Sequence, residues 1–248
     1  MKNIFYLTFI LSLSLFITSC DKDDDVHDDH NHDMVVAPDT YNFQRDGEST
    51  VSYTGQTCRL EMAEELHNAL TTPNYTADQI FEMFDGGTGF SVDYECGKNV
   101  GSKTAASPLA SQTVKAQFDD MINHVVDNVF PNWDNTGSAG VAGMVSESDG
   151  TARYVDSKGL EINQAFTKGL IGALCLDQIT NNYLSASKLN GASNDASGMA
   201  AGEYTDMEHY WDEGFGYLYG RDDAENPALG VGVLLNKYLK KVNDSHES

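Results

Sequence analysis

The segment from residue 159 to residue 184 most constrains the fold, because it is apolar on most sides when drawn as a helix. A helix with so little polar surface has to be enclosed by other elements. Segments with helical spacing also far outnumber segments that alternate between polar and apolar residues. We therefore expect a mainly α protein, an irregular bundle of about six helices built around this central one.

The other helices are predicted from apolar residues that recur three or four positions apart, at 56–70, 76–84, 107–130 and 205–219 and in a last helix capped by Asn226-Pro227. Start signals support three of them. Thr76 with Gln79 and Thr205 with Glu208 have the spacing of capping boxes, and Ser107-Pro108 supplies a cap and a first-turn proline. The glycine-rich stretches at 85–106 and 131–156 are expected to be long loops, and 38–55 an extended entry. Together, residues 38–248 are predicted to be a single helical domain.

The charge of the chain excludes some partners. It has 15 Lys and Arg residues against 38 Asp and Glu residues, a net charge of -23. Residues 1–20 hold one charge, the +1 of Lys2, and residues 21–33 hold -6, which leaves about -18 on the body from residue 34 onward. A chain this acidic repels phosphate, so we expect no nucleic-acid partner and no binding to an anionic lipid surface through a basic patch.

Residues 1–19 have the composition of a secretory signal peptide, with Lys2 followed by a mostly apolar run from Ile4 to Ile17. The run ends in Ile17-Thr18-Ser19-Cys20, which resembles the bacterial lipobox, where the leader is cut before the cysteine and that cysteine is acylated. We expect Cys20 to be the lipidation site that attaches the protein to a membrane. The alternative, a retained transmembrane helix, needs about 20 apolar residues.

Residues 20–37 are predicted to be an acidic, histidine-rich tether. The acidic run that follows Cys20 looks like the export signal of Bacteroidota lipoproteins that reach the outer face of the outer membrane; the alternative is a solvated spacer. His27, His30 and His32 lie among aspartates, a mixture that suits divalent metals. The segment lacks core-forming residues, so it is either a flexible linker or a weak metal-collecting tether.

Three cysteines remain after Cys20. Cys58 and Cys96 can pair in an oxidising compartment, although sequence alone does not establish the bond. Cys175 lies in the apolar pattern of the central helix and is expected to be a buried free thiol.

The familiar catalytic motifs are absent from the sequence. It contains no His-Glu-x-x-His, no Gly-x-Ser-x-Gly and no phosphate-binding loop ending in Gly-Lys-Ser/Thr. We therefore assign no catalytic residue and lean towards a protein that is not an enzyme.

The densest group of metal-binding residue types lies at 204–220. On a helix, one face holds apolar residues and is expected to be core: Met207, Trp211, Phe215 and Leu218. The opposite face places His209 within reach of Asp212 and Glu213, which predicts a metal site with these three ligands. The alternative is a solvated face with a surface His–Glu pair. Gly216 and Gly220 favour a close neighbour covering that face.

A second candidate lies on the central helix, where Glu161, Gln164 and Lys168 form one polar stripe on an otherwise apolar cylinder. Buried charges are usually paired. The stripe is therefore either a structural ion pair, with Lys168 joined to Glu161 or to a carboxylate within 61–65, or a ligand-binding row.

Three stretches, 52–66, 168–179 and 204–220, together resemble the domain-of-unknown-function family numbered 4856, a group of Bacteroidota lipoproteins. A more distant similarity reaches the imelysin-like proteins, helical-bundle envelope proteins linked to iron uptake. Their hallmark, Gly-x-His-x-x-Glu, would fall on Met207, His209 and Asp212, of which only His209 is unchanged. The resemblance implies an imelysin-like helical bundle with a functional face around His209.

We therefore expect a surface-exposed outer-membrane lipoprotein that binds a metal or a metal-bearing ligand in iron acquisition without catalysis. Its cofactor would be a divalent metal or iron. Two alternatives stay open: an imelysin-like metallopeptidase, and an interaction subunit that docks on an outer-membrane uptake receptor.

Overall fold

A computed structural model describes residues 40–222, 224 and 226–246, without the side chain of His246. These residues belong to one unit that spans Pro38–Ser248. The predicted signal peptide, the lipidation site Cys20 and the histidine-rich tether at 20–37 lie outside the described residues.

The described part of the chain is mainly α, as predicted. Its α-helices are α1 Thr54–Ala69, α2 Ala77–Phe81, α3 Pro108–His124, α4 Ile162–Leu170, α5 Ala186–Leu189, α6 Asp206–Tyr219 and α7 Leu235–His246. Several continue into wider π-type turns, at Glu82–Gly86, Val125–Val129, Ile171–Leu176 and Gln178–Tyr183. Two antiparallel hairpins pair β1 Gln44–Arg45 with β2 Glu48–Ser49, and β3 Gly143–Ser146 with β4 Ala152–Val155.

Both predicted capping boxes are present. Thr76 accepts a hydrogen bond from the backbone N–H of Gln79, whose side chain accepts one from the Thr76 backbone, and Thr205 and Glu208 do the same at the start of α6. Pro108 occupies the first turn of α3, although the Ser107 side chain makes no capping hydrogen bond. These starts are confirmed because each depends on contacts within one turn.

The central helix is less enclosed than its composition predicts. The α4 helix and its π-type continuation bury Phe166, Leu170, Leu174 and Cys175 completely. The opposite side is open, and Leu176 keeps 49% of its surface exposed. Phe166 lies edge-on to Phe118 and Phe84, with ring centroids 5.0 and 5.5 Å apart, so the core sits on one side of this helix.

Two predicted boundaries were wrong. The expected loop at 131–156 contains the β3–β4 hairpin, in which Met144 pairs with Tyr154, and the Tyr154 ring stacks on Trp133. Gly150 has φ +89°, which suits the turn between the strands. The last helix begins at Leu235 and not directly after Pro227, because the intervening chain forms a loop.

The long helices pack on one another around the candidate sites. The α1 helix contacts α4 on one side and α6 on another, and α6 also contacts Gln178–Tyr183. Leu60 and Leu66 of α1, and Leu70 directly after it, are buried in the core. Among the described residues, no helix is both long and apolar enough to cross a membrane.

Candidate functional site

The α6 helix is rotated relative to the prediction. Trp211, which was expected in the core, is 51% exposed, whereas Asp212 is 3% exposed and Tyr217 is fully buried. The predicted core face of α6 was therefore wrong. The buried side is instead the side that holds Asp212 and the glycines, because small residues there let other elements come close.

Gly216 shows how close this approach is. A Cβ atom added to Gly216 would lie 2.5 Å from the Cβ atom of Tyr53 and 2.9 Å from that of Gln56. On the same helix, a Cβ atom on Gly214 would lie 3.1 Å from the Leu184 side chain. The expectation that a neighbour covers the glycine side of α6 is confirmed, and that neighbour is the start of α1.

Both oxygens of Asp212 are used within the fold. One accepts a hydrogen bond from the backbone N–H of Ser52 at 2.7 Å, and the other accepts one from the Tyr41 hydroxyl at 3.0 Å. Burial raises the pKa of Asp212, while the hydrogen bonds from Ser52 and Tyr41 oppose that shift. The Tyr41 ring also stacks on Phe215, with centroids 3.6 Å apart, and its backbone N–H donates to Ala224 O at 2.8 Å. Asp212 therefore secures the entering chain.

His209 and Glu213 do come together, with 4.0 Å between His209 Nε2 and Glu213 Oε2. Glu213 also accepts a hydrogen bond from Gln56 Nε2 at 3.2 Å, which turns it towards α1. The His209 ring stacks on Tyr204 at 4.5 Å, and its Nδ1 is buried without a hydrogen-bond partner among the described residues.

The predicted three-ligand set of His209, Asp212 and Glu213 is thus only partly assembled. Across the described ranges, no group of three or more His, Cys, Asp or Glu side chains is placed to hold a metal ion. Glu208 takes part in the capping box and also pairs with Arg45, with 2.8 Å between Glu208 Oε1 and Arg45 Nη2. These hydrogen bonds hold the pKa of Glu208 below its usual value, although burial acts in the opposite direction.

The three residues of the predicted polar row, Glu161, Gln164 and Lys168, do not share one site. Glu161 pairs with Arg153, with 3.4 Å between Glu161 Oε1 and Arg153 Nη1, and makes no ion pair with Lys168. Gln164 and Lys168 instead line a cleft of about 500 Å³ between α1, α4 and the start of α7. Lys168 forms no ion pair with any residue that the structure describes, so the predicted structural pair is not made.

The cleft gathers basic groups from distant parts of the sequence. Lys168 comes from α4, Arg221 follows α6, and Lys237 lies on α7. Glu64 of α1 is the carboxylate among the lining residues, and it is paired with Arg221. With His67 neutral, the charged groups of the lining sum to +2, in a chain whose net charge is -23.

His67 of α1 also lines the cleft. Thr167 Oγ1 donates its hydrogen to the carbonyl of Asn163 at 2.9 Å, so it accepts from His67 Nδ1 at 2.8 Å. In the neutral ring this leaves Nε2 as an acceptor. Burial lowers the pKa of His67, and the nearby charge of Lys237 lowers it as well, while Glu161 and Glu64 oppose the shift.

A loop ahead of α7 closes the cleft, and Asn236 fixes its shape. The Asn236 side chain accepts hydrogen bonds from the backbone N–H groups of Gly230 and Gly232, both at 2.9 Å, and donates to Ala228 O at 2.9 Å. Asn236 is 1% exposed. The cleft wall formed by residues 230–234 is therefore held by an internal polar anchor and does not depend on a ligand for its shape.

Sequence reasoning missed Arg221, Lys237 and Asn236. Each lies in a segment without a recognisable motif, and their meeting with Lys168 depends on how α1, α4 and α7 pack.

Residues 38–248 match the model of a family described as a domain of unknown function, DUF4856. The chain belongs to this family. Its description assigns no activity, so the geometry above remains the basis for any functional argument. No curated protein and no solved structure matches the chain. The more distant similarity to imelysin-like proteins stays a prediction.

Proposed function

We propose that this protein is a lipid-anchored, non-catalytic binding protein of the cell surface whose ligand is a small anion held in the cleft between α1, α4 and α7. The ligand class is a polycarboxylate, free or as an anionic metal chelate. The observation that supports this proposal is the convergence of Lys168, Arg221 and Lys237 on one cleft of a strongly acidic chain.

Electrostatics favour an anion there. In a chain with 38 acidic and 15 basic residues, three basic side chains around a single cavity are a departure from the average surface. Lys168 and Lys237 have no ion-pair partner among the described residues, so an entering carboxylate would not first have to displace one. Arg221 offers a planar donor group suited to two carboxylate oxygens, although it now holds Glu64.

The size and shape of the cleft suit a small molecule. Its volume of about 500 Å³ lies within the usual range for small-ligand sites, roughly 300–1,000 Å³. Gln164 and the neutral His67 ring add uncharged hydrogen-bonding groups. Since Asn236 already holds the loop wall, binding costs little ordering of the backbone.

In this proposal the metal is coordinated by the ligand and not by side chains of the protein. A chelate whose outer carboxylate oxygens remain charged presents the cleft with the same chemistry as the free polycarboxylate. This keeps the predicted role in iron acquisition without requiring three protein ligands at His209. The membrane anchor on Cys20 and the outward-facing location in the outer membrane are parts of the same proposal and rest on the leader sequence.

Calorimetric titration of the purified full chain tests the proposal, with citrate, ferric citrate and Mn²⁺ as separate probes. We expect both anions to bind and Mn²⁺ alone to bind weakly. Lys168→Ala and Lys237→Ala should each weaken anion binding about fivefold, or about 1 kcal/mol, as expected for a partly exposed charge. Raised ionic strength should weaken it too. Lys158→Ala removes an exposed lysine elsewhere and should leave the affinity unchanged.

Other outcomes would contradict the proposal. If neither anion binds, or if Lys158→Ala weakens binding as much as Lys168→Ala, the cleft is not the site. If Mn²⁺ alone binds tightly and His209→Ala abolishes that binding, the metal site at His209 is supported instead. Chelator-sensitive cleavage of a peptide would favour the metallopeptidase, and co-purification with a receptor that survives Lys168→Ala would favour the docking subunit.

A further inference from the structure

The irregular segment after α2 is fastened along α1. At one end, the backbone N–H of Ser91 and the hydroxyl of Tyr94 both donate to the Glu65 carboxylate, at 2.8 and 2.6 Å. At the other end, Arg59 Nε donates to the carbonyl of Asn99 at 2.8 Å. The segment from residue 91 to residue 99 therefore runs antiparallel to α1.

Cys96 lies between these two attachment points, on the part of the segment that runs beside Cys58 of α1. Cys58 is 6% exposed on α1, and the Cys96 thiol is among the groups that raise its pKa. The structure contains no disulfide bond between these two cysteines. Cys175, the other described cysteine, is buried in the core on the central helix.

We propose that Cys58 and Cys96 form a disulfide bond in the exported protein, which closes a covalent loop that includes α2 and joins residues 91–99 permanently to α1. The contacts of Glu65 and Arg59 hold the segment that carries Cys96 along α1, beside Cys58, before any oxidation. The predicted leader would also take the chain to a compartment in which disulfides form and persist. This inference is independent of the anion cleft.

Formation of the bond needs an oxidant. The oxidant proposed is a second disulfide compound, which reacts with the protein thiols by thiol–disulfide exchange. The half-buried Cys96 thiol loses its proton and attacks one sulfur of the oxidant, which releases one thiol and leaves a mixed disulfide. The Cys58 thiol then loses its proton and attacks the Cys96 sulfur, which releases the second thiol. Two thiols of the protein lose two electrons and two protons, and the oxidant gains both.

The order of the two steps follows from the surroundings of each thiol. Burial, followed by the hydrogen bond to Cys96, raises the pKa of the Cys58 thiol to about 12. A thiol attacks as its thiolate, so the buried Cys58 is poorly suited to the first step. It is suited to the second step, because its target is then the neighbouring sulfur. Ring closure should therefore accelerate as the pH rises.

The bond would stabilise the fold mainly by restricting the unfolded chain. Cys58 and Cys96 are 38 positions apart, so the ring includes the α1 residues Glu64 and His67 that line the cleft. A loop of that length predicts a rise in the midpoint of thermal unfolding, Tm, of about 10 °C on oxidation.

Peptide mapping of the full chain, exported through its own leader, tests the proposal. Trypsin cleaves after Arg45, Arg59 and Lys98, so the two cysteines lie in separate peptides, 46–59 and 60–98. We expect these peptides to be joined after alkylation without reductant and to separate after reduction. Purified reduced protein incubated with oxidised glutathione should give the same pair. Reduction should also lower Tm by about 10 °C.

Cys96→Ser is the matched control, because Cys96 is only half-buried and the change is small. Its Tm should not respond to reductant, and its Cys58 should be alkylated once the protein is unfolded. Cys58→Ala should show the same insensitivity. The proposal is overturned if peptides 46–59 and 60–98 are separate and alkylated in both the exported and the oxidised samples. A glutathione adduct that persists on Cys96 without ring closure would overturn it as well.

Discussion

The close approach of α1 to α6 at Gly216 leads to a sharp prediction for Gly216→Ala. In a helix, replacing glycine by alanine normally stabilises by about 1 kcal/mol. Here the added Cβ atom would lie 2.5 Å from Tyr53 Cβ and 2.9 Å from Gln56 Cβ. Both neighbours are attached directly to the backbone and cannot rotate away. The substitution therefore requires α1 and α6 to separate.

Forcing extra carbon into a packed interior usually costs about 1–3 kcal/mol. The helical preference for alanine offsets part of that cost, which leaves a net loss of about 1–2 kcal/mol. In a protein of this size, 1 kcal/mol corresponds to about 2–4 °C in Tm. We therefore expect Gly216→Ala to lower Tm by about 2–8 °C.

Thermal unfolding followed by circular dichroism measures the effect, with Gly172→Ala as the control. Gly172 lies on the open side of the central helix, where an added Cβ atom meets nothing within 4 Å. Its Tm should stay the same or rise. If Gly216→Ala is as stable as the wild type, or changes Tm in step with Gly172→Ala, the packing argument for α6 is refuted.

Two further predictions concern the cleft. Asn236→Ala leaves two N–H groups and one carbonyl unpaired, so we expect a loss of about 2–4 kcal/mol in the free energy of unfolding. Chemical denaturation measures this, and Asn236→Asp, which keeps both accepting bonds, should lose less. Because the pKa of His67 is lowered in the folded protein, the neutral ring is favoured by folding, and this contribution is lost progressively as the pH falls below the unfolded value of about 6.5 towards the lower pKa of the folded state. Between pH 8 and pH 5.5 the Tm of wild type should therefore fall further than that of His67→Gln, and equal slopes for the two proteins would contradict the assignment.

Contacts within one turn were predictable from the sequence. The pairs Thr76–Gln79 and Thr205–Glu208 form capping boxes because their partners are three residues apart on the same chain segment. The helical class followed from the periodicity of the apolar residues. The β3–β4 hairpin was missed because its short strands lie in a stretch dominated by glycine and serine, which obscures the alternation.

The orientation of α6 was not predictable from residue size alone. Trp211 was expected in the core because it shares one helical face with other apolar residues, yet the core there is formed around Gly216 and Tyr217. Close backbone packing against α1 outweighed the burial of one indole ring. The glycines of α6 correctly indicated a close neighbour on their side of the helix. They also mark that side as the buried one, which the prediction did not use.

Only some of the residues that line the cleft were predictable from the sequence. Gln164 and Lys168 were predicted because they share one stripe of a helix. Arg221 and Lys237 join them from segments more than 50 positions away in the chain, and only the packing of α1, α4 and α7 brings them together.

The segment from Tyr41 to Ser52 has a mechanical consequence. It is joined to α6 at separate points: Tyr41 and Ser52 bond to Asp212, and Arg45 pairs with Glu208. Because these contacts precede α1 in the chain, a pull applied from the N-terminal side reaches them before it reaches the helical core. The force is then shared among several polar contacts and the stacked rings of Tyr41 and Phe215. If the chain is anchored through Cys20, as proposed, Asp212 is therefore among the first contacts to carry the load, ahead of the helical core.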